Sequence, residues 1–152
     1  MIASNPLPVA PIQLQIDRHA PALTAATVHH GVDQAAVQSA LQRWKQAWES
    51  KDLDGYFAAY SDAFQPVAPA RYGHRRWSRA TWQTYKRRVI GRKRYIHIHL
   101  RHVSVLPTDN PQRVRVRFVQ DFRSNNYVSH DHKELLMQRE GGQWKIIQER
   151  VR

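Results

Sequence analysis

Residues 94–123 read RYIHIHLRHVSVLPTDNPQRVRVRFVQDFR. Ile96, Ile98 and Leu100 share one parity, and His97, His99 and Arg101 share the other. After the break PTDNP the alternation resumes, with Val114, Val116, Phe118 and Phe122 set against Arg113, Arg115 and Arg117. A period of two is the signature of a strand, because successive side chains leave a pleated backbone on opposite faces. Apolar rows on one side and charged rows on the other predict a sheet buried on one face and solvated on the other. His102 carries the buried parity while Val103 and Val105 carry the opposite one, which predicts a β-bulge near 101–103.

Two more strands follow, so that the four span about 94–106, 112–123, 126–139 and 143–151. SNN and EGGQ separate the later ones, and Gly141 and Gly142 suit a tight hairpin turn. Consecutive short turns predict an antiparallel meander. In the third strand His130 and His132 share parity with Val128 and Leu136, and Asp131 and Lys133 share it with Leu135 and Met137. The pattern alone does not decide which of these rows faces inward. Lys133 and Glu149 stand on neighbouring strands and suit a structural ion pair.

Upstream of the sheet the period becomes helical. Asp33 is placed as an N-cap, and Val37, Leu41, Trp44 and Trp48 follow on one helical face. Asp52 caps a second, shorter helix whose Leu53, Phe57 and Tyr60 share a face. WSRATWQTYKRRVIG predicts a third helix, with Ser78 as N-cap, Trp77 stapled on Trp82, and Gly91 at the end. Trp82, Tyr85 and Val89 form its expected buried stripe, with Arg79, Lys86, Arg87 and Arg88 on the other sides. Three helices and then four long strands give an α+β layout, the helices packed on one face of a curved antiparallel sheet.

Residues 1–32 are rich in Pro, Ala and Thr and read as an arm or linker before a domain at 33–152, although PIQLQID alternates enough for a short edge strand. The N-terminus lacks the basic start and apolar core of a signal peptide, and no apolar run approaches the length of a membrane span. With no cysteine, disulfides, thiolate zinc sites and thiol nucleophiles are excluded. Net charge is +12, and no acidic residue occurs between Asp62 and Asp109, while Arg71 to Arg94 carries ten Lys or Arg. Such a stretch attracts polyanions, and Arg75, Arg76, Arg79, Arg87, Arg88 and Lys93 are the candidate contacts.

WKQAWESKDLDGYFAAYSDAF, the Trp ahead of an Arg-rich helix, VRFVQDFRSNNYVSHDHKELLM and EGGQWKIIQE together carry a resemblance covering roughly residues 34–152. The chain resembles the nuclear transport factor 2-like superfamily, and within it the SnoaL-like domain at the C-terminus of bacterial envelope proteins, including L,D-transpeptidase-type and repeat-containing outer-membrane proteins. The resemblance implies a cone-shaped α+β fold whose open end holds a small molecule. It also implies frequent dimerisation through the outer sheet face and a periplasmic or envelope setting. It implies no single activity, since the superfold hosts enzymes and binding modules alike.

The expected cavity is built from Trp48, Tyr56, Tyr60, Trp77, Trp82 and Tyr85 on the helical side. Phe118, Gln120 and Tyr127 complete it on the sheet, with His102 at the bulge. Aromatic walls with a few polar tips suit a sugar-like or aromatic ligand, and Gln120, on the parity of Phe118 and Phe122, is the inward polar group. His97 and His99 have the spacing of a metal pair, but an arginine row beside them opposes a cation, so they read as polar or partner-facing surface. Asp121 has outward parity and Asp62 suits a turn, so no acid–base pair stands out and no catalytic residue, metal or cofactor is assigned. The expected function is a non-catalytic module for a small ligand or cell-envelope polymer, with a basic face for an anionic partner. A nucleic-acid-binding protein and a small cone-fold isomerase or hydrolase are the alternatives.

Overall fold

The structure, a computed structural model, describes residues 34–152. Ala36–Arg152 forms one compact unit. The Asp33 cap, the alternating PIQLQID segment and the 1–32 arm lie outside the described residues.

Helix α1 spans 34–49, α2 spans Leu53–Ala58 and α3 spans Arg79–Gly91. Strands β1 (Ile96–Pro107), β2 (Arg113–Ser124), β3 (Val128–Glu140) and β4 (Gln143–Val151) form one antiparallel sheet in the order β1-β2-β3-β4. The helix starts are set by side chains: Asp52 accepts from the Gly55 N–H and Ser78 from the Thr81 N–H, satisfying donors that the first helical turn leaves open. This is the α+β cone expected from the alternation of 94–123.

The inner face of the sheet carries Ile96 and Ile98 of β1, Val114, Val116, Phe118 and Phe122 of β2, Leu135 and Met137 of β3, and Trp144 and Ile146 of β4, all buried. Against them pack Val37, Leu41, Trp44 and Trp48 of α1, Tyr56 and Phe57 of α2, and Trp82 and Ile90 of α3. Cross-strand register answers what the parity of β3 alone left open. Phe118 pairs with Lys133 and Gln120 with Asp131, so Asp131 and Lys133 point inward while His130 and His132 point out.

The predicted bulge is present. Arg101 pairs with Val119 but Ser104 with Arg117, so β1 has one extra residue there. His102 takes it up in a left-handed conformation at φ 56° and is exposed. A bulge ejects its extra residue from the alternation, and His102 therefore does not face the cavity as expected. A second register shift, beside Leu136 and Met137, leaves Ile147 as the extra residue of β4. The free edge of β4 is partly covered. Ser61 N–H donates to the Ile146 carbonyl (2.9 Å), and Ile146 N–H donates to that of Ala59 (3.0 Å), so the chain leaving α2 runs along it.

The stretch 66–77, irregular by sequence, closes on itself. Ala68 N–H donates to the Arg75 carbonyl (2.8 Å), Trp77 N–H to that of Pro66 (3.2 Å), and Val67 bridges Arg76. The short helix Ala70–Tyr72 forms the tip of this arm, and Gly73, at φ 87°, makes the turn a side chain would strain. The arm redirects Trp77. It contacts Tyr72 and Tyr85, at ring separations of 5.6 and 5.2 Å, instead of the expected Trp82. Trp82 instead enters the core beside Phe57, Tyr60 and Phe64.

Candidate functional site

Between α1, the arm, α3 and the inner faces of β2 and β3 lies a cavity of about 470 Å³. Trp48, Tyr85, Phe122 and Tyr127 supply its aromatic surface, and Gln120, Ser129 and Asp131 its polar groups from the sheet. Arg71 from the arm and Lys93 from beyond α3 add two cations. Gln120 is only 3% exposed, and its Oε1 has no hydrogen-bond partner. A buried acceptor left unpaired costs about 1–3 kcal/mol. The side chain of Asp131, its cross-strand partner, makes no hydrogen bond among the described residues and adds a carboxylate beside it. Tyr127 is 58% exposed and stands at the mouth. Lys93 Nζ lies 5.9 Å from the Phe122 ring centre and 5.7 Å from that of Tyr127, and it donates to Asn126 Oδ1.

Of the ten residues expected around the cavity, Trp48, Tyr85, Gln120 and Tyr127 line it. Tyr56, Tyr60, Trp82 and Phe118 are buried in the core behind it, Trp77 lies on the outer side of α3, and His102 is on the exposed bulge. Asp131 and Arg71 were not foreseen by sequence. The signal for Asp131 was its position opposite Gln120, which becomes visible only when the β2–β3 register is known.

Behind Trp48 the buried polar groups satisfy one another. Trp44 Nε1–H donates to Tyr60 Oη (3.0 Å), and the Tyr60 hydroxyl donates to Glu149 Oε1 (2.7 Å). Lys133 Nζ donates to Glu149 Oε2 (2.7 Å), forming the expected pair. Lys86 corrects its expected place on the solvent side of α3. Its Nζ is 5.7 Å from the Trp48 ring centre, and that of Lys133 is 5.5 Å away. The negative face of an indole attracts an ammonium group, so a lysine's charge does not by itself assign it to solvent. Burial pulls the Lys86 ammonium below the ordinary lysine value, although Glu149 opposes the shift. For Glu149, burial works to raise the carboxyl, but the charges of Lys133 and Lys86 and the hydrogen bonds from Lys133 and Tyr60 outweigh it, and the group stays ionised. Burial, then the charge of Glu149, keep Tyr56 and Tyr60 protonated. An ionised carboxylate between two lysines and a phenol is a structural anchor, without a proton to give.

The outer sheet face is a different environment. Arg101 Nε donates to Asp121 Oδ2 at 2.6 Å, and His130 Nδ1 lies 2.6 Å from Oδ1. The Arg101 hydrogen bond, then that of His130, hold Asp121 well below the usual carboxylate range. Asp121 is thus turned away from the cavity, and Asp62 is exposed on the turn after α2. Glu134, 2% exposed, accepts from Arg117 (2.8 Å), Arg115 (3.2 Å) and Arg150 (2.7 Å). His97 and His99 share this face, and no group of three metal-ligating side chains is assembled among the described residues.

The expected anion contacts divide. Arg75, Arg76, Arg87 and Arg88 are exposed and take part in no salt bridge among the described residues. Arg79 is committed: its guanidinium donates to the Ser61 carbonyl at 2.7 Å and reaches that of Phe57 at 3.5 Å, tying α3 to α2. No helix among the described residues is long and apolar enough to cross a membrane.

Comparison with known proteins places this geometry. No curated protein matches the sequence at a significant level. Among solved structures, Bd1075 of Bdellovibrio bacteriovorus is similar with a TM-score of 0.66 and 23% identity, over 81% of this chain and 41% of that one. The helical cell shape determining protein Pgp2 of Campylobacter jejuni is similar with a TM-score of 0.66 and 21% identity, over 76% of this chain and 39% of that one. The chain therefore spans about two fifths of the length of these two proteins. An NTF2-like protein of unknown function from Pseudomonas putida matches over 80% of this chain and 86% of its own, with a TM-score of 0.65 and 15% identity. At such identities the likeness concerns the fold. The family described as the Cds6 C-terminal NTF2-like domain matches residues 36–150, and the chain belongs to that family.

Proposed function

We propose that this domain is a non-catalytic binding module whose cavity takes a sugar-like ring bearing an anionic group, as part of a cell-envelope polymer. The observation that carries the reading is Gln120, a buried amide with an unpaired oxygen at the floor of an aromatic-walled cavity, next to the carboxylate of Asp131. A pyranose presents C–H bonds to aromatic faces and hydroxyl donors to such acceptors, and Arg71 and Lys93 suit its anionic substituent. The exposed arginines Arg75, Arg76, Arg87 and Arg88 serve the rest of an anionic partner. The envelope setting is supported by the likeness to a cell shape determining protein, and the role as one part of a longer protein by the share of that chain matched. Residues 1–32 then serve as the arm leading to 33–152, and copies pair through the outer sheet face, which sedimentation at rising concentration would detect.

The test is a titration with the disaccharide of N-acetylglucosamine and N-acetylmuramic acid, followed by amide and indole shifts. Saturable shifts at Trp48, Gln120, Tyr127 and Asp131 are expected. Shifts confined to the outer sheet face, or none, would overturn the reading.

The unpaired arginines support a second reading, a nucleic-acid-binding protein. It requires steep salt dependence, because phosphate contacts release counterions. Binding to duplex DNA that barely changes between low and moderate salt would remove it.

A further inference from the structure

The arm and α3 enclose a second recess, of about 490 Å³, on the outer side of the helix. Tyr72, Trp77 and Tyr85 wall it, Thr81 and Thr84 add hydroxyls, and Arg88 flanks it. The three rings touch one another, with Tyr72 and Tyr85 6.1 Å apart. Their planes are inclined at 44°, 56° and 87°. They therefore form a cup, in contrast to a row of parallel platforms. Arg71 stands at its edge, with its guanidinium 5.1 Å from the Tyr72 ring centre and 5.8 Å from that of Tyr85, and with Nη2 donating to Tyr85 Oη at 2.8 Å. The backbone hydrogen bonds of the arm hold Arg71, Tyr72, Arg75 and Arg76 in place before any partner arrives.

Arg71 and Tyr85 also line the inner cavity. Tyr85, held by its hydrogen bond from Arg71, is thus the wall shared by two aromatic recesses. We infer that the outer recess is a second ring-binding subsite, and that the ligand is an anionic glycan chain running from the cavity over the Arg71–Tyr85 wall into the arm–α3 cup. The inference rests on the proposed function and extends it from one ring to a chain.

Two features favour a glycan over a single-stranded nucleic acid. Successive bases stack on flat, sequence-tolerant platforms, whereas mutually tilted rings grip a puckered saccharide ring from several sides. The two recesses offer hydroxyl-matching groups: Thr81 and Thr84 outside, Gln120, Ser129 and Asp131 inside. The carboxylate of Asp131 is one of these, an acceptor for a sugar hydroxyl. Arg71, Arg75, Arg76 and Arg88 have no protein carboxylate to neutralise them among the described residues, so they suit an anionic chain of either kind.

The experiment compares the disaccharide of N-acetylglucosamine and N-acetylmuramic acid with the tetrasaccharide of the same repeat, by calorimetry on the full chain. The tetrasaccharide is expected to bind about tenfold tighter, the gain from one further ring contact. Tyr72→Ala, on the exposed tip of the arm, should erase that gain and leave disaccharide binding unchanged. Ala80→Glu, which sets a carboxylate into the cup from an exposed helical position, should do the same if Tyr72→Ala disturbs the arm. Equal affinity for both lengths, a gain that survives both variants, or tighter binding of a thymidine decamer than of the tetrasaccharide would overturn the inference. Failure of the underlying reading looks different: the disaccharide would not bind at all.

Discussion

Two faces of this molecule are rich in arginine, and they differ in what the arginines touch. On the outer sheet face Arg101 is held by Asp121, and Arg115, Arg117 and Arg150 converge on Glu134. On the arm and α3, Arg75, Arg76, Arg87 and Arg88 meet no carboxylate among the described residues. Both stretches contribute to a net charge of +12, yet in the first these four guanidinium groups share two carboxylates, Asp121 and Glu134. Total charge therefore says little about where an anion binds. The unpaired part of it, next to exposed aromatic rings, says more.

The largest expected effect lies on the paired face. Glu134→Gln removes the counter-charge of three guanidinium groups and should destabilise the fold by about 3 kcal/mol, read by urea denaturation. A loss under about 0.5 kcal/mol, the usual range for a surface change, would mean the cluster is as loosely held as the arm arginines.

Acid should separate the faces next. Asp121 is held low by the hydrogen bonds of Arg101 and His130. For Glu134, burial works to raise the carboxyl, but Arg117, Arg150 and Arg115 outweigh it, so it too lies low when folded. Their unfolded values are those of free carboxylates, about 4. Their contribution is thus complete above that value and is lost as pH falls towards the folded one, the unfolded chain taking up protons first. Stability should fall between about pH 5 and pH 2, and the Asp121→Asn, Glu134→Gln double variant should flatten that slope. An unchanged slope would show that other carboxylates govern acid unfolding.

The smallest effect on stability belongs to the unpaired face. Arg75→Gln, Arg76→Gln and Arg88→Gln together should change it by no more than about 1 kcal/mol, while weakening binding of the anionic tetrasaccharide and reducing its salt dependence. Loss of folding in this variant would assign these side chains a structural role like that of Arg79.

Much of this is legible in the sequence, for physical reasons. The alternation of Ile96 to Leu100 and of Val114 to Phe118 encodes a one-sided sheet because only one face is buried, and the parity switch at His102 marks the bulge. What stayed hidden depends on non-local pairing. Asp131 and His130 are both polar, and only the pairing of Asp131 with Gln120 tells which faces the cavity. Trp77 was misplaced because the arm's bridge between Val67 and Arg76 joins residues in a Pro-rich stretch without periodicity. Charge alone assigns Lys86 and Arg79 to solvent, although an indole face receives one and backbone carbonyls the other.

Gln120 offers the most direct test of the binding account. Gln120→Leu replaces the unpaired buried amide with an apolar side chain of similar size. It should raise stability by about 1 kcal/mol, since an unsatisfied acceptor is removed. The same variant should lose disaccharide affinity by about tenfold or more, since the ligand's hydroxyl then meets no acceptor. A variant that gains nothing in stability and binds the disaccharide as tightly as the parent chain would contradict the claim that this cavity is kept polar for a ligand.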